Sequence, residues 1–172
     1  MLMNWITAAP RRTLVLISAA CVAMLAFGMY LQHVVGLEPC PMCIVQRYAL
    51  IGVAVFAGLA GAGSRKTWRV IWSALALAAA GFGAFTAARQ SWLQWYPPEV
   101  ATCGRDFYGM IEHYSLSRSI PMIFRGSGDC TAVDWTFLGG SIANWSFVGF
   151  TALGLLLLAL LLRSGGGQEK YA

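Results

Sequence analysis

Residues 38–47 read EPCPMCIVQR, and an apolar run follows them as far as residue 62. This stretch joins a Cys-x-x-Cys pair, Cys40 and Cys43, directly to a segment long enough to cross a membrane. Proline is excluded from helix interiors, so the prolines beside Cys40 predict extended or turned backbone until a helix begins near Cys43. The first turn of a helix favours the thiolate form of a cysteine. Arg47 lies four residues further on, on the same helix face, and adds a permanent positive charge.

The composition is that of an integral membrane protein. Of the 172 residues, 58% are hydrophobic and 11% are charged, whereas charged residues make up about a quarter of a soluble domain. The net charge of +5 is also found in nucleic-acid-binding proteins. Here, however, the basic residues lie mostly beside apolar spans, where they orient a chain in the membrane. We therefore exclude nucleic acid as a partner and expect membrane lipid to surround the protein.

Four segments approach the length of about 20 apolar residues that a membrane-spanning helix needs. They cover residues 13–31, 44–62, 70–88 and 145–162. Strands are excluded within these spans, because an open sheet would leave unpaired backbone groups in hydrocarbon. The first span lacks a cleavage site of the signal-peptide type, so we expect it to be retained. The chain is therefore predicted to be an all-α membrane protein, with a single domain over residues 1–172.

Lys and Arg predict the orientation of these spans. Basic residues cluster at the N terminus, between the second and third spans, and in the tail at residues 163–172: Arg11, Arg12, Arg65, Lys66, Arg69, Arg163 and Lys170. The segment 32–43 has none. By the positive-inside rule both termini and the tail are cytoplasmic, and the loops 32–43 and 89–144 are on the outer side.

The second outer loop has features of its own. Aromatic residues recur along it and predict that part of it lies on the membrane surface as short amphipathic helices. The Leu-Gly-Gly sequence at residues 138–140 indicates a turn.

Four of the five cysteines fall in the outer loops, two in each: Cys40, Cys43, Cys103 and Cys130. The fifth, Cys21, lies in the middle of the first span, where cysteine acts as a small apolar packing residue. The outer four are compatible with structural disulfides of an oxidising compartment, with a zinc site, or with a redox relay.

The spacing of the cysteines favours the relay. The second pair lacks the tight spacing of zinc ligands, so we expect no metal. A Cys-x-x-Cys disulfide closes a ring too small to stabilise a fold by much. In a relay, an outside thiolate attacks the loop disulfide, and a released loop thiol attacks the pair at the membrane edge. At that depth a lipid-soluble quinone is the natural electron acceptor.

Three stretches share their motifs and their order with a known family. They are QH at 32–33 leading to PCPMC at 39–43 with Arg47; LQWYP at 93–97 leading to ATC at 101–103; and GSGDC at 126–130 with Trp135 and FLG at 137–139. With these motifs the sequence resembles the disulfide-bond-formation protein B (DsbB) family, the bacterial inner-membrane thiol:quinone oxidoreductases. The resemblance covers roughly residues 12–162.

The resemblance implies a four-helix transmembrane bundle with a short interfacial helix in the second periplasmic loop. The protein would be a multi-pass protein of the bacterial inner membrane, with both termini in the cytoplasm. Its partner would be a periplasmic thioredoxin-fold disulfide oxidase of the DsbA type.

The resemblance also implies a role for each outer cysteine. The disulfides would be Cys40–Cys43 and Cys103–Cys130. A thiolate of the partner would attack Cys103, Cys130 would then attack Cys40, and Cys43 would pass the electrons to ubiquinone or menaquinone. Arg47 would stabilise the Cys43 thiolate and the developing quinone anion.

The chain departs from some relatives at one position near the quinone. Where those relatives have a histidine, this chain has Gln90. A glutamine amide can donate a hydrogen bond but takes up no proton at neutral pH. Gln90 is therefore a candidate quinone-binding residue that would act without proton exchange.

Two other functions are compatible with these residues. A protein similar to vitamin K epoxide reductase would also couple a Cys-x-x-Cys pair to quinone in a helical bundle. Such proteins usually carry the pair late in the bundle, whereas here it opens the second span. A membrane adaptor with structural disulfides would need no electron transfer at all.

Overall fold

A computed structural model describes residues 9–97, 120–121, 123–124, 128–133 and 135–165. In chain order its elements are α1 (Pro10–His33), α2 (Pro41–Ala62), α3 (Lys66–Trp95), α4 (Gly128–Thr131), β1 (Thr136–Phe137), β2 (Gly140–Ser141) and α5 (Ile142–Gly165). Of these, α1, α2, α3 and α5 are long and apolar enough to cross a membrane. The predicted four-helix membrane bundle is therefore confirmed. Each long helix contains one predicted span and extends beyond it.

Proline and hydroxyl side chains mark the beginnings of three long helices, α1, α2 and α5. Pro10 and Pro41 are the first residues of α1 and α2, a position where the missing N–H costs nothing. At the start of α5, the backbone N–H of Asn144 donates to Ser141 Oγ at 3.3 Å, as in a helix N-cap. The last helical residue of α3, Trp95, comes just before Pro97, which is incompatible with a continued helix.

The long helices pack in series, α1 on α2, α2 on α3 and α3 on α5. We call their shared interior the apolar core, and it consists of Leu14, Ile17, Cys21, Val53, Ala54, Ala57, Ala60, Ala76, Ala80, Leu153, Leu157 and Leu160. Alanines on α2 and α3 let the helix backbones approach closely, as expected in lipid. Cys21 is fully buried in this core, as the sequence predicted.

Gly83 on α3 makes the closest of these approaches. A Cβ atom at this position would lie 2.3 Å from a ring carbon of Phe150 on α5. No real Cβ tolerates that distance, so the contact between α3 and α5 requires glycine here.

The end of the bundle opposite the Cys-x-x-Cys pair carries the basic residues. Arg11 at the start of α1 donates from Nε to the carbonyl of Gly61, at the end of α2, at 3.1 Å. A cation placed there satisfies an unpaired carbonyl and complements the negative end of the helix dipole. We call this the basic end, and it brings the start of α1 together with the end of α2.

A small hairpin departs from the purely helical prediction. β1 and β2 pair antiparallel, with Thr136 opposite Ser141 and Phe137 opposite Gly140. The two residues between them, Leu138 and Gly139, have φ of 49° and 79°, the backbone of a type I′ turn. The turn predicted at residues 138–140 is therefore confirmed. The hairpin lies outside the long helices, so it does not bring strands into the spans.

The predicted interfacial helix falls mostly on residues outside the described ranges. Cys103 and residues 166–172 of the predicted tail also lie outside them. These predictions stay as stated from the sequence.

Candidate functional site

The Cys-x-x-Cys pair forms the beginning of α2. Cys40 is the N-cap residue with extended backbone, and its carbonyl accepts a hydrogen bond from Ile44 N at 3.1 Å. The helix starts at Pro41, two residues earlier than the predicted start near Cys43. The reason is that Pro41 occupies the first helical position, where its fixed φ is already helical. Cys43 still lies in the first turn, as predicted.

Three of the four cysteines predicted on the outer side meet at this point. The Cys40 and Cys43 sulfurs are 3.3 Å apart, as hydrogen-bonded thiols. Cys40 also hydrogen-bonds to the side chain of Cys130, which is fully buried in α4. Cys40 therefore has one partner from each of the two outer loops.

This arrangement keeps the proton on Cys40. The hydrogen bond to Cys130, the hydrogen bond to Cys43 and burial together raise the pKa of the Cys40 thiol. Its S–H is directed toward Cys43. In the reduced pair, negative charge therefore belongs on Cys43 rather than on Cys40.

Apolar side chains enclose these sulfurs. Cys40 and Cys130 belong to a buried group with Met42, Leu93 and Ile123, which we call the cysteine cluster. Met42 comes from α2, Leu93 from α3 and Ile123 from the segment before α4. The cluster thus packs the segment that carries Cys130 against the end of the bundle where the Cys-x-x-Cys pair lies.

Two polar side chains near the end of α3 hold the chain on either side of Cys130. Arg89 donates from Nε to the carbonyl of Phe124 at 3.3 Å. Gln94 donates from Nε2 to the carbonyl of Ala132 at 3.3 Å and accepts from Ser141 Oγ at 2.6 Å. The sequence motifs did not indicate these contacts, because they join residues far apart in the chain.

Gln90 on α3 lies beside the cysteine pair. Its amide nitrogen is 3.3 Å from Cys43 Sγ and 3.4 Å from Cys40 Sγ. The residue is only 3% exposed. The structure therefore brings this predicted site residue to the reactive sulfurs, with its nitrogen closer to them than its oxygen, which lies 3.7 Å from Cys43 Sγ.

Gln46 is a site residue that the sequence analysis missed. It is only 6% exposed on α2, and its Nε2 donates to Gln90 Oε1 at 2.7 Å. In the sequence it stands between Cys43 and Arg47 and belongs to none of the motifs. The available signal was that a polar side chain inside a membrane span seeks a partner on a neighbouring helix.

Arg47 extends toward α1. It donates to Gln32 Oε1 and, at 3.3 Å, to the carbonyl of Gly28. Among the described residues, none of its hydrogen bonds goes to Cys43. The predicted direct stabilisation of the Cys43 thiolate is untested, but Gln32, which belongs to a quoted motif, orients the guanidinium.

A cavity of about 520 Å³ adjoins these groups. Cys43, Arg47 and Gln90 lie in its wall, and most of its remaining lining is apolar, including Leu50, Phe137 and Phe150. A few convergent polar groups in an apolar cavity of this size are typical of a small-molecule site.

Comparison with known proteins now identifies the family. The sequence model for disulfide bond formation protein DsbB matches residues 10–160. This chain belongs to the disulfide bond formation protein B (DsbB) family. The chain is 81% identical over 166 residues to the disulfide bond formation protein B of Acidovorax sp. (strain JS42), covering 96% of this chain and 95% of the relative.

More distant relatives carry the same description. The disulfide bond formation protein B of Paracidovorax citrulli (strain AAC00-1) is 74% identical over 164 residues, 95% of this chain and 94% of the relative. That of Azoarcus sp. (strain BH72) is 53% identical over 153 residues, 88% of this chain and 92% of the relative. The resemblance stated from the motifs is therefore confirmed.

Membership in the DsbB family gives this multi-pass membrane protein an oxidoreductase role in disulfide-bond formation. The three adjacent sulfurs and the cavity beside them lie at one end of the bundle. The basic end lies at the other, at Arg11 and Gly61. The site and the orienting charges are thus separated along the helices.

Proposed function

We propose that this protein oxidises the dithiol of a periplasmic thioredoxin-fold disulfide oxidase of the DsbA type. Two disulfides, Cys103–Cys130 and Cys40–Cys43, relay the electrons to ubiquinone or menaquinone. The observation that carries the proposal is the position of Cys40, which hydrogen-bonds to Cys130 and to Cys43 at once. A relay needs one sulfur within reach of both its donor and its leaving group.

The first exchange takes place in the second outer loop. A thiolate of the partner attacks Cys103, a partner–Cys103 disulfide forms, and Cys130 leaves as a thiolate. The Cys130 thiolate then attacks Cys40, a Cys40–Cys130 disulfide forms, and Cys43 leaves as a thiolate. The hydrogen bond of Cys40 to Cys130 and the 3.3 Å separation of the Cys40 and Cys43 sulfurs support this second step.

Two further exchanges complete the transfer. The second thiolate of the partner attacks the partner cysteine that is bound to Cys103. The partner leaves with its own disulfide, and Cys103 is released as a thiolate. The Cys103 thiolate attacks Cys130, restores Cys103–Cys130 and displaces Cys40, which takes up a proton. Two electrons now reside in the Cys40–Cys43 dithiol. The hydrogen bond to Cys43 and burial, which both raise the pKa of Cys40, keep that proton on Cys40.

The cavity suits a quinone. Its apolar lining would take the ring and tail, and Cys43, Arg47 and Gln90 in its wall are the residues that would hold the polar ring. Bound quinone would supply the two-electron acceptor that returns the Cys40–Cys43 pair to its disulfide. Arg47, oriented by Gln32, places positive charge in the same wall.

The distribution of charge supports a location in the bacterial inner membrane with both termini in the cytoplasm. Arg11, Arg12, Arg65, Lys66 and Arg69 belong to the termini of α1, α2 and α3 or the short link at the basic end. The positive-inside rule places that end in the cytoplasm. The cysteine cluster then faces the oxidising periplasm, where disulfides persist.

A turnover assay tests the proposal. The purified protein with ubiquinone should oxidise a reduced DsbA-type partner, and Cys43→Ser should reduce the rate to background. Cys21→Ala is the matched control, because Cys21 lies in the apolar core, and it should retain turnover. Retained turnover in Cys43→Ser would refute the relay.

A trapping experiment tests the order of attack. A partner variant that keeps only its attacking cysteine should stay disulfide-bonded to Cys103, since the second partner thiolate that displaces Cys103 is missing. Peptide mass spectrometry identifies the trapped cysteine. A partner trapped on Cys40 instead would reverse the proposed order.

A further inference from the structure

Two buried amides connect α2 to α3 beneath the cysteine pair. Gln46 comes three residues after Cys43, on the same face of α2. Its Nε2 donates to Gln90 Oε1 at 2.7 Å, and both side chains are almost fully buried. A buried amide without a partner would cost about 1–3 kcal/mol, so each glutamine depends on the other.

The donor end of the Gln90 amide lies nearest to the sulfurs. Its oxygen accepts from Gln46 Nε2 at 2.7 Å and lies 3.7 Å from Cys43 Sγ. Its nitrogen lies closer, at 3.3 Å from Cys43 Sγ and 3.4 Å from Cys40 Sγ. A donor at that place stabilises sulfur that carries negative charge.

We propose that Gln46 is a positioning residue that keeps the donor end of the Gln90 amide directed at the Cys40–Cys43 sulfurs. The inference rests on the proposed function of this pair, since it assigns Gln46 a role in holding the Cys43 thiolate. Gln46 acts through Gln90 and makes no hydrogen bond of its own to the sulfurs among the described residues.

The Gln46–Gln90 amide pair directs a donor at the sulfurs without an ionisable group. Neither glutamine exchanges a proton near neutral pH. The titratable or charged groups in the wall of the same cavity are Glu38, Cys40, Cys43 and Arg47, and Cys130 contacts Cys40. The amide pair therefore offers the same donor to the sulfurs over the whole neutral range of pH.

The Gln46→Glu substitution tests the orientation of the Gln90 amide, because it replaces only the amide nitrogen of residue 46 with oxygen. In its protonated form the new carboxyl still has an O–H to donate to Gln90 Oε1, and the native arrangement persists. Once ionised it only accepts, so the Gln90 nitrogen turns toward it and the Gln90 oxygen faces the sulfurs. The variant should therefore behave like the native protein at low pH and lose thiolate stabilisation as pH rises.

The measurement uses reduced, full-length protein in detergent without added quinone. Iodoacetamide labels the thiols between pH 5.5 and 8.5, and peptide mass spectrometry gives the rate at each cysteine. Near neutral pH, where the new carboxyl is ionised, Cys43 in Gln46→Glu should react up to about tenfold more slowly than in the native protein. Gln46→Met, which has no donor, should slow Cys43 at neutral and lower pH, where the rate depends on the thiolate fraction.

Cys21 is the internal control in every sample. It is fully buried in the apolar core, so its labelling reports loosening of the bundle. A fall in Cys43 labelling with Cys21 still protected supports the inference. Unchanged Cys43 rates in both variants, a pH-independent loss in Gln46→Glu, or a loss accompanied by Cys21 labelling would each overturn it.

The turnover assay separates this inference from the proposed function. If the native protein fails to oxidise the partner with quinone present, the proposed function fails, and the labelling still measures the orientation of Gln90. If the native protein turns over but the labelling does not respond to Gln46, only the positioning role fails.

Discussion

The apolar core and the cysteine cluster are both buried, but they are built from different chemistry. The apolar core contains alanine, leucine and other side chains without hydrogen-bonding oxygen or nitrogen. Beside the cysteine cluster lie the buried amides Gln46 and Gln90, whose hydrogen bonds have direction. Close packing is enough to hold helices together in lipid. Reactive sulfurs need in addition a donor on a chosen side, and only polar groups with fixed partners supply that.

Close packing alone should determine how much each residue of the apolar core stabilises the protein. Two glycines on α3 test this, and their substitution has the largest expected effect. Gly83→Ala would place its Cβ 2.3 Å from the Phe150 ring and should cost about 1–3 kcal/mol of stability. Gly81→Ala meets no atom within 4 Å and should gain up to about 1 kcal/mol from helix propensity.

Thermal unfolding in detergent measures both changes. The two variants differ only in which neighbour the new methyl group meets, so opposite signs would confirm that packing decides. Equal effects at the two positions would contradict the close contact between α3 and α5.

Hydrogen bonds should determine the reactivity of the thiols in the cysteine cluster. The relative reactivity of Cys40 and Cys43 provides the next test. Because its raised pKa keeps Cys40 protonated at neutral pH, reduced protein should react with iodoacetamide at Cys43 at least about tenfold faster than at Cys40. Labelling of Cys40 should become appreciable only at alkaline pH. Peptide mass spectrometry distinguishes the two sites, and faster labelling of Cys40 at pH 7 would reverse the assignment of charge.

Removal of the Gln94 hydrogen bonds near the end of α3 should have the smallest effect. Gln94→Leu loses the hydrogen bonds to the Ala132 carbonyl and to Ser141, so Cys130 is held less firmly against Cys40. We expect turnover with a DsbA-type partner to fall by roughly threefold to tenfold, as for the loss of about one hydrogen bond.

Tyr96→Phe serves as the control for this variant, because Tyr96 is exposed two residues further along the chain. It should retain native turnover. A Gln94→Leu variant as active as this control would show that apolar packing alone places Cys130.

Much of the fold could be predicted from the sequence because lipid simplifies the problem. Each span had to be a helix, since hydrocarbon leaves no other way to pair the backbone groups. The four spans, the first-turn place of Cys43 and the packing role of Cys21 followed from local sequence and are confirmed. The start of α2 was placed two residues late, because proline at the first helical position was not considered.

The arrangement of the site was harder to predict, because its contacts join distant parts of the chain. Arg47 shares a helix face with Cys43, yet its hydrogen bonds go to Gln32 and Gly28 on α1. Spacing along a helix gives the face of a residue but not the direction taken by a long side chain. Which neighbour it meets depends on how α1 packs against α2.

By itself the sequence determined a four-span membrane bundle, a Cys-x-x-Cys pair at the end opposite the basic residues, and a thiol in the first turn of α2. These follow from length, charge and helical spacing, which act over a few residues. Only the tertiary structure decided that Cys130 meets Cys40 and that Gln46 on α2 donates to Gln90 on α3. A hydrogen bond across a helix interface depends on the rotation and depth of both helices, and the packing of the whole bundle sets these.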